Sequence, residues 1–189
     1  MNEELNLELV EKYPEMFLFH NFRGRGHFVF ECGDGWYNIL DHLFANIKAH
    51  VKNNNERFWK LDEAETMIDN GCRADVPIYL QNRIEELRNG NGVYPVEMGY
   101  PEFQQIKEKF GTARIYHSSG LTGDDYIDGL IAMAESMSET TCEECGNVGK
   151  TGNHGGNWIK TLCDEHSAAR ALALANNQAR QDAAKWSEG

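Results

Sequence analysis

Four residues near the C-terminus have the types and the spacing of a tetrahedral metal site. Cys142 and Cys145 form a Cys-x-x-Cys pair, and after seventeen intervening residues Cys163 and His166 form a Cys-x-x-His pair. Two such pairs are typical of zinc, because each pair forms a tight clip and the intervening loop lets the clips face each other. We predict one structural zinc ion per chain, bound by these four side chains.

The segments around these ligands predict a treble-clef-like zinc finger. The glycine-rich spacer suggests a short hairpin, and the helix-forming run Ser167–Ala179 places Cys163 and His166 on one face of a first helical turn. His154, at the tip of the spacer, is an alternative ligand to His166, although a loop tip holds a ligand less firmly than a helix start. A redox role for the cysteine pair is disfavoured by the matching downstream pair.

The composition predicts a folded and acidic chain. Its 189 residues suffice for one domain or for a core with a small appendage, and 41% hydrophobic residues argue against disorder. With 30 acidic and 18 basic residues the formal net charge is −12, which disfavours direct binding to nucleic acid or to anionic membranes. An acidic surface can still occupy the groove of a basic partner protein.

Targeting signals and cysteine content favour a cytoplasmic location. The N-terminus is acidic where a signal peptide is basic, and no apolar run reaches membrane-spanning length. An odd count of five cysteines with a metal pattern fits a reducing compartment. It leaves Cys32 and Cys72 as free thiols, which we expect to be buried rather than reactive.

The hydrophobic pattern predicts an α+β fold: a mainly helical core with a small β-hairpin or sheet, followed by the finger and a C-terminal helix. We expect residues 1–139 to form the core, residues 53–99 to be a candidate insertion in it, and residues 140–189 to form the finger with its helix. Asp34 is expected to cap the helix that begins at Gly35, and Trp36 to anchor the core. The predicted elements are helix Asn2–Tyr13, strand His27–Phe30, helix Gly35–Val51, a loop at Lys52–Arg57, a helix opened by a capping box at Asp62 and Glu65 and stopped at Asn70, a helix from Asp75 to Asn89, strands Phe103–Phe110 and Thr112–His117, and helix Asp124–Met137 capped by Thr122.

Several further residues are candidates for binding or catalysis. The cations Lys107, Lys109 and Arg114 on the hairpin can bind an anion, or they form a solvated face paired with Glu108. Asp34, between two glycines, is a candidate metal ligand or general base if it is not a helix cap. The remaining candidates are a second metal site from His20, His27 and Cys32, and a contact through Trp36.

The C-terminal helix carries a narrow stripe of mostly small residues. Alanine promotes helix formation but offers little area for packing on the chain's own core, so we predict a surface for a partner or for self-association, anchored by Trp186. The alternative is that the helix packs on the core or frays after Asn177. The stripe consists of Ala168, Leu172, Ala175, Ala179, Ala183 and Trp186.

Three sequence blocks in this order resemble a family of small proteins encoded by bacteriophages and prophages. The blocks are ECGDGW at Glu31–Trp36, QIKEKFGTARIY at Gln105–Tyr116, and the finger from Cys142 to His166. The resemblance implies a phage accessory protein with the same four zinc ligands, and it implies no activity. It does not extend to residues 53–99.

Two functions remain open from the sequence. The favoured one is a non-enzymatic binding module that engages or inhibits a host protein, such as one serving in defence or handling nucleic acid. The alternative is a metal-dependent enzyme acting on nucleic acid, with Asp34, His27 and the hairpin cations gathered in one cleft. A nuclease of the HNH type needs a His-and-Asn block between the two ligand pairs, and the spacer containing His154 and Asn157 is short for it.

Overall fold

Helices pack against a three-stranded sheet, and a two-stranded sheet belongs to the metal-binding segment. This computed structural model describes residues 1–17, 28–118 and 123–187, without the side chains of residues 184–187. The α+β fold predicted from the sequence is confirmed. The elements are α1 Glu3–Lys12, β1 Phe30–Glu31, α2 Tyr37–Asp69, α3 Ile78–Arg88, β2 Glu102–Lys109, β3 Thr112–Ser118, α4 Asp125–Ser138, β4 Lys150–Gly152, β5 Lys160–Leu162 and α5 Asp164–Ser187.

The three-stranded sheet has the order β1-β2-β3, with β1 parallel and β3 antiparallel to β2. Ile106 of β2 is opposite Phe30 on one side and Ile115 on the other, and all three side chains are buried. Lys107 and Arg114 are the next opposed pair, and strand alternation places them on the outer face. The predicted hairpin around Gly111 is therefore confirmed, except that Phe110 belongs to the turn and not to the first strand.

Side chains from helices close both edges of this sheet. On α1, the amide oxygen of Asn6 accepts a hydrogen bond from the Phe30 N–H at 2.8 Å. On α4, the hydroxyl oxygen of Ser138 accepts from the Ala113 N–H at 2.8 Å. Because unpaired strand edges invite pairing with other chains, each of these contacts satisfies a backbone N–H that would otherwise be open at an edge of the sheet.

The main core is built from aromatic rings beneath the sheet. Phe44 of α2 meets the ring of Phe103 with centroids 5.0 Å apart and that of Phe17 edge-on at 5.3 Å. Such tilted and edge-on pairs add stabilisation beyond the burial of the rings. Trp36, directly before α2, is almost completely buried, as predicted from the sequence.

Helix α2 is twice as long as its apolar stripe indicated. The predicted loop at Lys52–Arg57 is wrong, and Asp62 lies inside the helix rather than at a cap. The asparagines that suggested a turn bind the segment 91–100 instead: the Asn54 side chain donates to the Val96 carbonyl oxygen at 2.7 Å. The side chain of Asn55 pairs with both the N–H and the carbonyl oxygen of Met98. The helix ends at Asn70, as predicted.

The second half of α2 and helix α3 enclose a small core of their own. Its buried members are Ala64, Val76 and Ile84. On the surface above it, Arg88 pairs with Glu65 and Asp69 across the two helices. These contacts make the region after residue 53 a direct extension of the core helix.

Two predicted helix caps are not the ones observed. The carboxylate of Asp34 does not cap α2; it accepts hydrogen bonds from the backbone N–H of Asn2 at 2.6 Å and from its side chain at 2.8 Å. Thr122 lies outside the described residues, and Asp124 caps α4 by accepting from the Ile127 N–H at 2.9 Å. Asp34 therefore fastens the N-terminus of α1 to the loop before α2.

Among the described residues, no helix has both the length and the apolar character of a membrane span.

Candidate metal centre

The four predicted ligands meet in one cluster. The Sγ atoms of Cys142, Cys145 and Cys163 and a ring nitrogen of His166 all lie within 4.8 Å of one another. Cys142 and Cys145 belong to the turn that follows α4, whereas Cys163 follows β5 and His166 lies in the first turn of α5. The cluster can therefore hold a metal ion, and it joins the two ends of the finger.

The ligand distances fit a tetrahedral ion of the size of zinc. Zinc bonds of about 2.3 Å to sulfur and about 2.0 Å to nitrogen require ligand separations of about 3.5–3.8 Å. Two separations match this range: the Sγ atoms of Cys145 and Cys163 are 3.8 Å apart, and Nδ1 of His166 lies 3.7 Å from Sγ of Cys142. Nδ1 of His166 lies closer to Sγ of Cys163, at 3.2 Å. Four protein ligands leave no open coordination position for a substrate.

The start of α5 prepares one thiol for binding a cation. The backbone N–H of His166 donates to Sγ of Cys163, the His166 ring contributes a second hydrogen bond, and together they lower the pKa of this thiol to about 7. The same contact raises the pKa of the His166 ring. Because the thiolate is the form that binds metals, a lowered pKa at Cys163 favours metal binding at neutral pH.

Two glycines of the ECGDGW block allow the core to dock on the metal-binding turn. The Gly35 N–H donates to the Glu143 carbonyl oxygen at 2.8 Å, and the Gly33 N–H donates to the Glu143 carboxylate at 3.1 Å. A Cβ atom on Gly35 would lie 2.2 Å from the Cys142 carbonyl oxygen. The backbones approach so closely that a side chain cannot fit at this position.

Trp36 also contacts the metal-binding turn. Its ring nitrogen donates to the Thr141 carbonyl oxygen at 2.9 Å, one residue before the first ligand. With its side chain almost fully buried, Trp36 has no surface to offer a partner, and its candidacy as a binding residue is wrong. It links the core to the finger instead.

A buried ion pair supports the turn from the finger side. Glu143 is buried and its carboxylate accepts from Nζ of Lys160 at 3.0 Å. Burial disfavours the charge on Lys160, but the hydrogen bonds and charges of Glu143 and Glu144 together outweigh burial and raise the pKa of this amine. A carboxylate in this position is acceptable because it is both paired and hydrogen-bonded.

The hairpin turn of the core forms the second contact with the finger. The buried Thr161 hydroxyl lies 2.6 Å from the Gly111 carbonyl oxygen and 2.6 Å from the Thr151 hydroxyl. Gly111 has a φ of +80°, and a Cβ atom there would lie 2.8 Å from the Thr151 methyl group. Core and finger are thus packed on each other at two separate places.

His154 closes the tip of the β4–β5 hairpin and is not a ligand. Its Nε2 lies 2.9 Å from the Lys150 carbonyl oxygen and 3.0 Å from that of Lys160, and its Nδ1 lies 2.7 Å from the Ser167 hydroxyl. Since carbonyl oxygens only accept, Nε2 carries a hydrogen, and Nδ1 forms its hydrogen bond with the Ser167 hydroxyl. Both ring nitrogens are therefore used within the finger.

The basic residues of the hairpin are engaged on the outer face of the sheet. Lys107 donates to the Gln105 side chain at 2.7 Å, and Arg114 donates to the Thr112 hydroxyl at 2.6 Å. Glu108 does not pair with them as expected, since its carboxylate accepts from the Gly111 N–H at 2.7 Å and from the Trp158 ring at 3.3 Å.

The enzyme alternative requires these cations to meet Asp34. Lys109 lies over the Phe110 ring, with Nζ 5.5 Å from its centroid. In the described part of the chain, Asp34 hydrogen-bonds to Asn2, and to none of the hairpin cations. His20 and His27, which the alternative and the second metal site invoke, lie outside the described residues.

The two remaining cysteines differ in exposure. Cys32 is buried as expected, and burial raises the pKa of its thiol to about 12, so it is inert. Cys72 is exposed, which corrects the expectation that both free thiols are buried. It lies between α2 and α3, directly after the glycine that ends α2.

Most of helix α5 is exposed. All its described side chains from residue 171 to residue 183 are exposed, so the alternative in which this helix lies on the core is wrong. The described members of the small-residue stripe, including Leu172, are uncovered, and the Trp186 side chain lies outside the described atoms. The helix continues to Ser187.

One surface was missed in the sequence. Phe110 and Trp158, with exposed fractions of 65% and 66%, lie where the hairpin turn meets the finger, and we call these two residues the junction surface. The sequence signal was a two-residue Phe-Gly turn between two strands, which forces the first residue into an unusual backbone conformation.

Compared with known proteins, the chain matches no protein-family model, no curated protein and no solved structure.

Proposed function

We propose that this chain is a phage-encoded binding module that engages a host protein in the host cytoplasm through the junction surface. The proposal is carried by one observation, the backbone conformation of Phe110. Phe110 and Gly111 are the two central residues of the hairpin turn, with φ values of +57° and +80°. Positive φ at both positions defines a turn in which Asn-Gly or Gly-Gly is normally found.

A phenylalanine in this position is unfavourable for folding. The left-handed conformation destabilises an ordinary residue by about 1–2 kcal/mol, and Asn and Gly are the residues that tolerate it. Burial does not compensate, because most of the Phe110 ring is exposed. Residues kept in strained positions without a gain in packing are concentrated at functional sites.

A second exposed aromatic residue near the hairpin turn supports a protein-binding role. Trp158 is also exposed, and its position is defined by the hydrogen bond from its ring to Glu108 and by the Arg170 side chain, which donates to its carbonyl oxygen at 3.0 Å. Exposed aromatic side chains in defined positions are typical anchors of protein interfaces. With a net charge of −12, the chain favours a protein partner over nucleic acid.

The metal has a structural role in this proposal. We infer that one zinc ion is bound by Cys142, Cys145, Cys163 and His166, because the donor set and its geometry are those of closed zinc sites. The ion joins the turn after α4 to the start of α5, and it thereby positions the segment that carries Trp158. The exposed helix α5 is proposed to add a second contact area for a partner or for self-association.

The test compares proteins captured from infected bacterial cells by the tagged wild-type chain and by a Phe110→Asn/Trp158→Ala variant. Asn suits the turn, so the variant is expected to fold with equal or higher stability and to lose the specific partner. Val148→Ala is the matched control, since Val148 is an exposed apolar residue of the finger outside the junction surface. Two results would overturn the proposal: capture of the partner to the same extent by all three proteins, or cleavage of nucleic acid by the purified wild-type protein without any partner.

A further inference from the structure

A groove lies between the second half of α2, helix α3 and the segment 91–100. Its volume is about 500 Å³. This size is within the range of small-molecule sites, which are about 300–1,000 Å³. We call it the basic groove; its lining residues are Asn54, Arg57, Lys60, Leu61, Tyr79, Leu80, Arg83, Val93 and Pro95.

The charge of this lining is opposite to that of the chain. Three cations, Arg57, Lys60 and Arg83, line the groove and no Asp or Glu does, in a protein with 30 acidic and 18 basic residues. Arg83 pairs with Glu86 at 3.0 Å. Within the described ranges, Arg57 and Lys60 form no ion pair. Two cations thus remain available beside a cavity that lacks a counter-charge.

Hydrogen bonds between the elements hold the walls of the groove in place. The segment 91–100 is bound to α2 by the hydrogen bonds of Asn54 and Asn55 described above, and by the Tyr94 hydroxyl, which donates to Glu65 at 3.3 Å. Gly92 lies against Arg83, since a Cβ atom there would be 3.1 Å from the guanidinium group. The groove is therefore bounded by α2, by α3 and by the segment 91–100. A site enclosed on three sides suits a compact ligand better than an extended peptide.

The remaining lining defines the second part of the ligand. Leu61, Leu80, Val93 and Pro95 provide apolar surface, and Tyr79, 67% exposed, lines the same groove as the cations. Guanidinium groups match the geometry of phosphate oxygens, and an aromatic ring can stack on a flat group. We propose that the basic groove binds a small organic phosphate that carries a flat aromatic group, a ligand of nucleotide type and size.

A single-stranded nucleic acid is disfavoured as the ligand, although it has the same chemistry. Its further phosphates would extend beyond the groove over a surface that is acidic on average. No residue of the junction surface lines the groove, so this inference and the proposed function can fail independently.

The experiment is calorimetric titration of the full-length, zinc-loaded protein with ADP, and separately with pyrophosphate, adenosine, a dT10 oligonucleotide and a Glu-rich peptide. We expect ADP to bind at least about tenfold more tightly than either of its parts, because both the phosphates and the ring contribute. Failure of ADP to bind, or tighter binding of the oligonucleotide or of the peptide, would overturn the proposal.

Matched variants locate the binding. Arg57→Gln/Lys60→Gln should weaken ADP binding at least about tenfold, the loss expected for charge-assisted hydrogen bonds. Lys52→Gln/Arg180→Gln changes the net charge equally at residues that do not line the groove, and should leave the affinity unchanged. Equal effects of the two double variants would show that ADP responds only to net charge, which refutes a site in the groove.

A second pair separates the ring contact from the phosphate contact. Tyr79→Ser should weaken ADP while leaving pyrophosphate unchanged, whereas Ile78→Ser, at an adjacent and equally exposed residue outside the groove, should change neither. An unchanged ADP affinity in Tyr79→Ser would refute the assignment of a flat group.

Discussion

Replacing Gly35 with alanine tests the docking of the core on the metal-binding turn. The added Cβ atom would lie 2.2 Å from the Cys142 carbonyl oxygen, 2.5 Å from the Gly146 nitrogen and 2.6 Å from the Cys145 nitrogen. These are backbone atoms of the turn that supplies two metal ligands, so they cannot rotate away as a side chain would. The turn and the loop before α2 must separate.

The expected destabilisation follows from two contributions. Overpacking against a rigid backbone costs about 1–3 kcal/mol. Separation also weakens the hydrogen bond from the Gly35 N–H to the Glu143 carbonyl oxygen, which contributes about 1 kcal/mol. We expect the free energy of unfolding of the zinc-loaded protein to fall by about 2–4 kcal/mol, since the two contributions overlap little.

Urea unfolding followed by tryptophan fluorescence measures this change, and release of zinc to a chromogenic chelator reports on the metal site. Gly129→Ala is the control, because Gly129 lies in α4 with no atom near its added Cβ. This control should stabilise the protein by about 0.5–1 kcal/mol through helix propensity. A Gly35→Ala protein within about 0.5 kcal/mol of the wild type, the range of neutral surface changes, would refute the docking argument.

Two further predictions concern the metal and the C-terminal helix. Removing the ion with a chelator, or replacing Cys163 with serine, should unfold the finger, because the free energy of metal binding stabilises its fold. Circular dichroism and the susceptibility of residues 140–170 to protease measure this unfolding. A finger that keeps its structure and its protection from protease would contradict the prediction. Deleting residues 176–189 should leave zinc content intact and change the free energy of unfolding by less than about 0.5 kcal/mol, since every described side chain there is exposed. The deletion should weaken partner capture or self-association, and a large loss of stability, or unaltered association, would argue against a binding role for α5.

The local part of this structure was predictable from the sequence. The cluster of Cys142, Cys145, Cys163 and His166 follows from ligand spacing within one short segment. The β2–β3 hairpin follows from a two-residue turn between alternating strands, and the buried face of α2 from its apolar period. In each case the residues that determine the feature are close in the chain, so their order carries the information.

The uses of polar and glycine residues depended on contacts between distant parts of the chain. Asn54 and Asn55 are turn-forming by type, yet they lie within a helix because residues some forty positions later offer them backbone partners. Asp34 has the type and place of a helix cap, but the N-terminus of α1 takes its carboxylate.

The ECGDGW block shows the same limit most clearly. Its glycines read as a loop, and only the folded chain shows that their missing side chains admit the backbone of residues 142–146, more than one hundred positions away. The surface that includes Phe110 likewise exists only in the folded chain, where the finger places the Trp158 ring within hydrogen-bond distance of Glu108, two residues before Phe110. The sequence pattern determines which residues can form a helix or a strand. Tertiary packing brings these elements close together, and it alone determines where a side chain cannot fit and which side chains are buried or exposed.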